Sequence, residues 1–148
     1  ARLAMADSGY AYDAAIIPRR AHGYVRRDGK LLNAPFIDMS IPSGAGSQYS
    51  TVTDLYRWDR ALANGTILSR ESLAEAFPAS VEEGFGLGWE IGRERGRRVI
   101  EHNGDINGFG AFIARYPDED GTIVVLTNIE RTPVRTIKEE IAARLFAD

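Results

Sequence analysis

The consecutive residues His102, Asn103, Gly104 and Asp105 are the part of the chain whose types and spacing suit catalysis. An imidazole can carry charge or pass a proton near neutral pH. Glycine lacks a Cβ, so a ligand can approach the backbone closely there. Amides beyond such a glycine can donate hydrogen bonds to a developing oxyanion. These residues therefore favour a site for acyl chemistry, and their alternative interpretation is a histidine satisfied at the end of a strand.

Other kinds of site have weaker support in the sequence. His22, the second of the two histidines, is interpreted as a partly exposed loop residue, and neither histidine has metal-ligand spacing. With no cysteine to complete a zinc site, we expect no metal and no cofactor. Gly84, Gly86 and Gly88 alternate inside a strand pattern, which lacks the strand-to-helix geometry of a phosphate-binding loop.

The bulk properties exclude several classes of protein. The 148 residues suit one domain or part of a larger one. A net charge of −3 argues against an electrostatic nucleic-acid binder. No apolar run approaches the ~18 residues of a membrane span. The chain begins without an initiator Met, so we expect an upstream portion to be missing.

The elements that position residues 102–105 are predicted from hydrophobic periodicity. From residue 85 onward the period is two, which predicts strands over 85–91, 97–103, 108–116 and 122–128. The last of these strands is apolar on both faces, so we expect it to be central and covered.

Helices and a hairpin are predicted around this sheet. Helix starts are indicated by Thr51, by Ser69 and by Thr132 followed by Pro133 at the first helical position. The last helix carries an apolar stripe of Val134, Ile137, Ile141 and Leu145. Asp28-Gly29 predicts a hairpin within the loop-rich first 50 residues.

The predicted fold class is α+β. An antiparallel sheet is covered by the C-terminal helix, and a small helical and loop-rich layer lies beside it. We assign residues 1–80 to that layer and residues 81–148 to the sheet and the last helix, as two portions of one larger catalytic domain.

Five segments, in order along the chain, resemble the C-terminal part of the serine β-lactamase-like family, which includes class C β-lactamases, D-Ala-D-Ala carboxypeptidases and related esterases. Residues 3–9 resemble its "PLGM-x-DTG" segment and residues 42–58 its "P-AGGLYST-x-DL--W" helix start. The remaining segments are 85–89, which resembles "YGLGW", 102–109, which resembles the "H-x-G-G-x-x-G-F" form of the third catalytic motif, and 123–128, which resembles "VVVLTN".

The resemblance implies an incomplete β-lactamase/transpeptidase-like fold and a role for each motif residue. His102 would contribute to the electrostatic environment of the active site. Asn103 and Gly104 would contact substrate, with Asn103 donating or accepting a hydrogen bond. The amide of Asp105 would be one oxyanion donor, although relatives commonly have glycine there. The substrate class stays open among β-lactams, D-amino-acid peptides and small esters.

The family's nucleophile motif, Ser-x-x-Lys, does not occur in these residues. The only lysines are Lys30 and Lys138, and the residues three before them are Arg27 and Arg135. No Tyr-x-Asn occurs either. We therefore expect a fragment of a serine hydrolase that is inactive alone. The alternative is a non-catalytic binding or interaction domain that retains the fold.

The resemblance also implies a partner for the strand predicted at 122–128. In the family this strand pairs with one from the extreme N-terminus, and an uncovered apolar edge is prone to association. We expect the missing N-terminal portion or a homodimer partner to cover it. Many relatives work outside the cytoplasm, so a periplasmic or secreted location is implied by the resemblance alone.

Overall fold

The computed structural model describes residues 3–12, 14–78 and 83–147, which form antiparallel strands and three α-helices. The first half contains β1 (Gly9–Tyr10), β2 (Tyr24–Arg27), β3 (Lys30–Asn33), β4 (Gln48–Tyr49), α1 (Val52–Ala63) and α2 (Arg70–Ala76). The second half contains β5 (Gly84–Phe85), β6 (Glu90–Glu94), β7 (Arg97–Ile106), β8 (Phe109–Tyr116), β9 (Gly121–Thr127) and α3 (Val134–Leu145). The predicted α+β class is confirmed. The proposed boundary at residues 80 and 81 lies outside the described residues.

The five strands of the second half form one antiparallel sheet in the order β5-β6-β7-β8-β9. Helix α3 covers one face of this sheet, which we call the α3 face. The core on that face consists of Val99, Phe112, Ala114, Tyr116, Ile123, Val134 and Ala142. Because side chains alternate along a strand, the neighbouring residues point to the opposite face, which we call the α1 face.

Helix α1 is joined to the α1 face by buried charges. Asp59 of α1 accepts hydrogen bonds from Arg115 of β8 and, at 2.6 Å, from the Thr122 hydroxyl of β9. The Trp58 ring of the same helix stacks on Trp89 at 5.8 Å between centroids, with 12° between the planes. The helical layer is therefore fixed against the sheet by both polar and aromatic contacts.

The predicted hairpin and the predicted caps at Thr51 and Ser69 are confirmed, whereas the predicted start of the last helix at Thr132 is displaced by one residue. Strands β2 and β3 pair across Asp28 and Gly29, which have φ of 47° and 74°, as a two-residue type I′ turn requires. The Thr51 side chain accepts from the Asp54 amide, and the Ser69 side chain accepts from the Ser72 amide. Helix α3 begins at Val134, so Pro133 occupies the N-cap position and not the first helical position.

The apolar stripe predicted for the last helix is wrong at one end. Leu145 is 62% exposed, whereas Lys138 is 2% exposed and lies in the buried row with Val134 and Ala142. Lys138 is buried because carboxylates from β6 and β7 pair with its ammonium group. Such burial of lysine is rare without a partner.

The prediction of one continuous strand over 85–91 is also wrong. Strand β5 ends at Phe85, and a turn follows in which the Gly86 amide donates to the Trp89 carbonyl at 2.8 Å. The Leu87 amide donates to the Ala76 carbonyl at 3.0 Å, which ties this turn to the end of α2. A Cβ at Gly86 would lie 2.1 Å from that carbonyl oxygen, so the close approach requires glycine.

Within the described part of the chain, helices are too short or too polar to cross a bilayer.

Candidate active site

Strand β7 carries all four predicted site residues, and its outer edge is open where they lie. Strand β6 pairs with β7 from Glu94 and Arg97 as far as Glu90 and Glu101. Among the residues that the structure describes, β7 pairs only with β8 from His102 to Ile106. Residues 102–105 are exposed. The motif is therefore part of an extended strand, and the tight turn follows it at Asn107 and Gly108.

The two turns that flank β7 define which backbone groups face the open edge. Arg95-Gly96 and Asn107-Gly108 are both two-residue turns, closed by the pairs Glu94–Arg97 and Ile106–Phe109. The pair that closes such a turn is hydrogen-bonded, and the direction of backbone groups alternates along the strand. Both turns give the same result, namely that odd-numbered residues of β7 face the β6 side.

Beyond Glu101 no strand of the described chain occupies that side. The N–H and C=O groups of Asn103 and Asp105 are thus directed outward from the sheet. An outward amide can donate to an oxyanion, and an outward amide and carbonyl together can pair with an extended substrate.

The side chains of the predicted site residues divide between the two faces. Glu101 contacts Lys138 of α3, while Arg115, which is paired with Ile100, contacts Asp59 of α1. By alternation, His102 and Gly104 face the α1 side, and Asn103 and Asp105 face the α3 side. The structure therefore does not bring the His102 and Asn103 side chains together.

Gly104 has free space on the α1 face. A Cβ built there would meet only the Ala111 Cβ, at 4.0 Å, which is ordinary contact. At Gly110, on the α3 face, a Cβ would lie 3.1 Å from Thr127 and 3.4 Å from the Asp105 Oδ1. The fold itself thus accounts for the glycine at 110 but not for the glycine at 104.

Two segments flank the open edge of β7. At the end next to Glu101, the turn 86–89 carries Leu87, which is 66% exposed. At the other end, the Asn107 Nδ2 donates to the Pro35 carbonyl at 3.2 Å, and Gly108 packs closely on Gly23. The loop before β2 and the loop after β3 therefore brace the β7–β8 turn.

The buried carboxylate of Asp54 holds residues 3–9, the first of the five segments that resemble the family, in place. Asp54 is 1% exposed and accepts hydrogen bonds from the Asp7 amide at 2.9 Å, the Ser8 hydroxyl at 2.8 Å and Arg57 at 2.7 Å. Burial acts to raise the pKa of Asp54, but these hydrogen bonds outweigh it and hold the pKa below its ordinary value. From the sequence, Asp54 was placed only within the resembling segment 42–58, and this role was missed.

Sequence reasoning also missed the ion pairs of Asp59 and Glu101. A partial signal was present in the sequence, because Asp59 lies beside Trp58 on a helix and Glu101 directly follows the apolar residues Val99 and Ile100. A charged residue at a buried position in a pattern indicates a buried partner. The identity of the partner depends on long-range packing. Within residues 3–12, 14–78 and 83–147 no group of three or more metal-ligating side chains is present.

Comparison with known proteins gives matches in sequence and in fold. The β-lactamase family model matches residues 1–148. Penicillin-binding protein 4* of Bacillus subtilis (strain 168) is 30% identical over 129 residues, which are 82% of this chain and 27% of that protein. The chain therefore spans little more than a quarter of that relative.

Two solved structures show the same fold. The octameric penicillin-binding protein homologue from Pyrococcus abyssi superposes with a TM-score of 0.81 at 22% identity, over 99% of this chain and 35% of that one. The D-stereospecific amidohydrolase from Streptomyces sp. gives a TM-score of 0.80 at 22% identity, over 99% and 46% of the two chains. With the family model matched from end to end, the chain belongs to the β-lactamase family.

Proposed function

We propose that this chain supplies half of the active site of a serine hydrolase that works through an acyl-enzyme. The observation that carries the proposal is the unpaired edge of β7, where the backbone groups of Asn103 and Asp105 point outward. Family membership supports the reaction class. The substrate would be a β-lactam, a D-amino-acid peptide or a small ester.

The proposed mechanism assigns each group a task. A serine hydroxyl from elsewhere in the complete protein attacks the substrate carbonyl carbon and forms a tetrahedral intermediate. The Asp105 N–H donates to its oxyanion, the second donor being the amide of the nucleophile itself. Collapse breaks the C–N or C–O bond, the proton lost by the serine hydroxyl passes to the leaving amine or alcohol, and water then hydrolyses the acyl-enzyme ester to the free acid and the serine.

His102 and Asn103 would contact the substrate in different ways, His102 through its side chain and Asn103 through its backbone. The His102 imidazole lies on the α1 face, where it would supply positive charge or a proton to the reacting groups. Asn103 would hydrogen-bond substrate through its outward backbone groups, since its side chain faces α3. Gly104 would allow the substrate to lie close to the strand on the α1 face, where a Cβ has free space.

The activities named for two structural neighbours bear on the substrate class. The two neighbours are a D-stereospecific amidohydrolase and a D-amino acid amidase from Ochrobactrum anthropi SV3. These names support including amides of D-amino acids among the substrates to be tested. Identities below 25% support the fold alone, so the choice among amide, peptide, β-lactam and ester belongs to experiment.

The test is a burst experiment with a matched histidine control. We expect the complete protein to release one equivalent of chromophore rapidly from a chromogenic β-lactam or a p-nitrophenyl ester and to gain the mass of the acyl group. His102→Ala should lower kcat/KM by about 10²-fold or more. His22→Ala, which removes the other histidine of residues 1–148, also an exposed one, should have no effect.

Residues 1–148 alone should give no burst, because they contain no Ser-x-x-Lys. A burst from these residues, abolished by His102→Ala, would mean that the nucleophile lies within them. Equal activity of the two histidine variants would remove His102 from the site.

A non-catalytic binding domain is the second candidate. The absence of Ser-x-x-Lys from residues 1–148 favours it. Such a domain would retain substrate analogues at the open edge without covalent change. Tight binding of a penicillin by the complete protein, with no mass increase and no turnover, would support this candidate over the enzyme.

We also propose that an N-terminal segment of the complete protein, or a second copy of the chain, covers β9. Among the described residues β9 pairs only with β8 and ends the sheet, and Leu126 is 39% exposed. Such an edge promotes association. A strictly monomeric chain of residues 1–148 whose β9 amides exchange rapidly would contradict this proposal.

A further inference from the structure

Strand β7 loses one of its two neighbours at Glu101. Up to that residue it is held between β6 and β8, and from His102 onward β8 is its one neighbouring strand within the described part of the chain. A strand paired on one side is held less rigidly than one paired on both sides. An acyl-transfer site tolerates little displacement of its donors. Something behind the strand must therefore hold residues 102–106 in place.

Helix α3 holds Glu101 with two cations. Glu101 is 6% exposed and Lys138 is 2% exposed, and the Lys138 Nζ lies 2.9 Å from the Glu101 Oε2. Arg135, one turn earlier on the helix, pairs with the other oxygen of the same carboxylate. Glu101 is the last residue of β7 that lies between two strands. Each of its carboxylate oxygens is thus paired with a cation of α3.

The side chains of Arg135 and Lys138 also lie against Phe112, which is paired with Asn103 on the neighbouring strand. Phe112 of β8 is the register partner of Asn103 and is 2% exposed. The Arg135 guanidinium lies 4.9 Å from the centre of its ring and the Lys138 Nζ lies 5.3 Å from it. Cation–π contacts of this kind strengthen when they are removed from water. Helix α3 therefore contacts both β7 and β8 on the α3 face of the sheet, beside the open edge of β7.

Ionic contacts, and not apolar packing, join α3 to β6 at this point. A groove of about 190 Å³ runs between them beside Lys138, and Glu90 and Glu94 line it. The Lys138 Nζ reaches the Glu94 Oε2 at 3.2 Å, and the Tyr116 hydroxyl donates to the same oxygen. Burial and the neighbouring Glu94 raise the pKa of Tyr116, so that its hydroxyl remains a donor at neutral pH.

We propose that Lys138 is a positioning residue for the proposed reaction: through Glu101 and Phe112 it holds the open edge, residues 102–106, in the geometry that aims the Asp105 amide at the oxyanion. This inference rests on the proposed function for its catalytic consequence, whereas its structural part stands independently. Lys138 contacts no substrate in this scheme and acts only from the α3 face. A simple contribution to overall stability is the competing explanation.

Amide hydrogen exchange in the complete protein separates the two explanations. The amides of His102, Gly104 and Ile106 bond to β8 and should be protected, whereas those of Asn103 and Asp105 face outward. In Lys138→Met we expect the three protected amides to exchange about tenfold faster, with little change in α1. Lys30→Met, the same substitution at the other lysine of residues 1–148, an exposed one, is the matched control.

A uniform acceleration of all protected amides, α1 included, would overturn the proposal, because it would show a global loss of stability. Exchange identical to that of Lys30→Met would overturn it as well. Glu101→Gln decides the question if Lys138→Met does not fold, since it keeps the shape of the side chain and should speed the same three amides. Lys138→Arg, which keeps the charge, should resemble the unsubstituted protein.

Kinetics then test the catalytic consequence. Glu101→Gln should lower kcat about tenfold with KM changed less than about twofold, because oxyanion stabilisation acts in the transition state. If the complete protein forms no acyl-enzyme at all, the proposed function fails and the exchange result still decides the structural part. If the complete protein is active and Lys138→Met and Glu101→Gln both keep full kcat, the positioning role fails while the proposed function survives.

Discussion

Asp59 of α1 and Arg115 of β8 form an ion pair in which the Asp59 side chain is fully buried and the Arg115 side chain is 8% exposed. Asp59 also pairs with Arg60 at 2.7 Å. The Arg115 guanidinium lies 5.4 Å from the centre of the Phe77 ring, near the end of α2. This pair is the main polar link between the helical layer and the sheet face on which His102 lies.

Asp59→Asn should destabilise the chain by about 3–5 kcal/mol, because it leaves a buried guanidinium without its counter-charge. Asp120→Asn is the matched control, since Asp120 also pairs with Arg60 but its side chain is 84% exposed. Exposed pairs contribute about 0–1 kcal/mol. Urea denaturation of both variants measures the difference, and equal midpoints would contradict the assigned role of the Asp59–Arg115 pair.

Gly86→Ala should destabilise the chain by about 1–3 kcal/mol, since its Cβ would meet the Ala76 carbonyl at 2.1 Å and force the turn away from α2. Gly92→Ala, in β6, provides the control because nothing lies within 4 Å of the new Cβ. Thermal unfolding of the pair checks this expectation. If both variants melt together, the turn 86–89 is not fixed by that close approach.

Gly104→Ala should leave stability within about 0.5–1 kcal/mol of the starting protein, or raise it slightly, because glycine in a strand costs entropy and the Cβ has space. In the complete protein the same change should reduce kcat/KM, since the methyl group points to the face where substrate is proposed to lie. Full activity with unchanged stability would mean that no ligand approaches Gly104 closely.

Acid should weaken the attachment of residues 3–10 to α1. Because the pKa of Asp54 in the folded chain lies below its ordinary value of 3.8, its stabilising contribution is complete above that value and is lost as the pH falls through the lower, folded value. Asp54→Asn should therefore lower stability at pH 7 and flatten its decline in acid. Denaturation midpoints between about pH 7 and pH 2.5 test this, and parallel profiles for the two proteins would contradict it.

Local patterns predicted much of the fold correctly. The Thr51 and Ser69 caps, the Asp28-Gly29 hairpin and the strand periodicity after residue 97 all depend on neighbours within a few residues, so the sequence was sufficient for them. The segment 85–91 was misjudged because Gly86 and Gly88 leave the alternation of Phe85, Leu87 and Trp89 intact, while contact with Ala76 breaks the strand.

The position of the candidate site was predicted from residues 102–105, but its form was not. Residue types at the motif indicated backbone donors and a basic side chain, and family resemblance indicated the reaction. That β6 begins only at Glu90, opposite Glu101, was set by the turn at 86–89 and by the register of the β6–β7 hairpin. Only the tertiary structure could therefore show that the edge beyond Glu101 is open and that His102 and Asn103 point to opposite faces. The burial of Lys138 also depended on the tertiary structure. A lysine in a helix is expected to be exposed, and only the packing of β6 and β7 against α3 places Glu94 and Glu101 next to it.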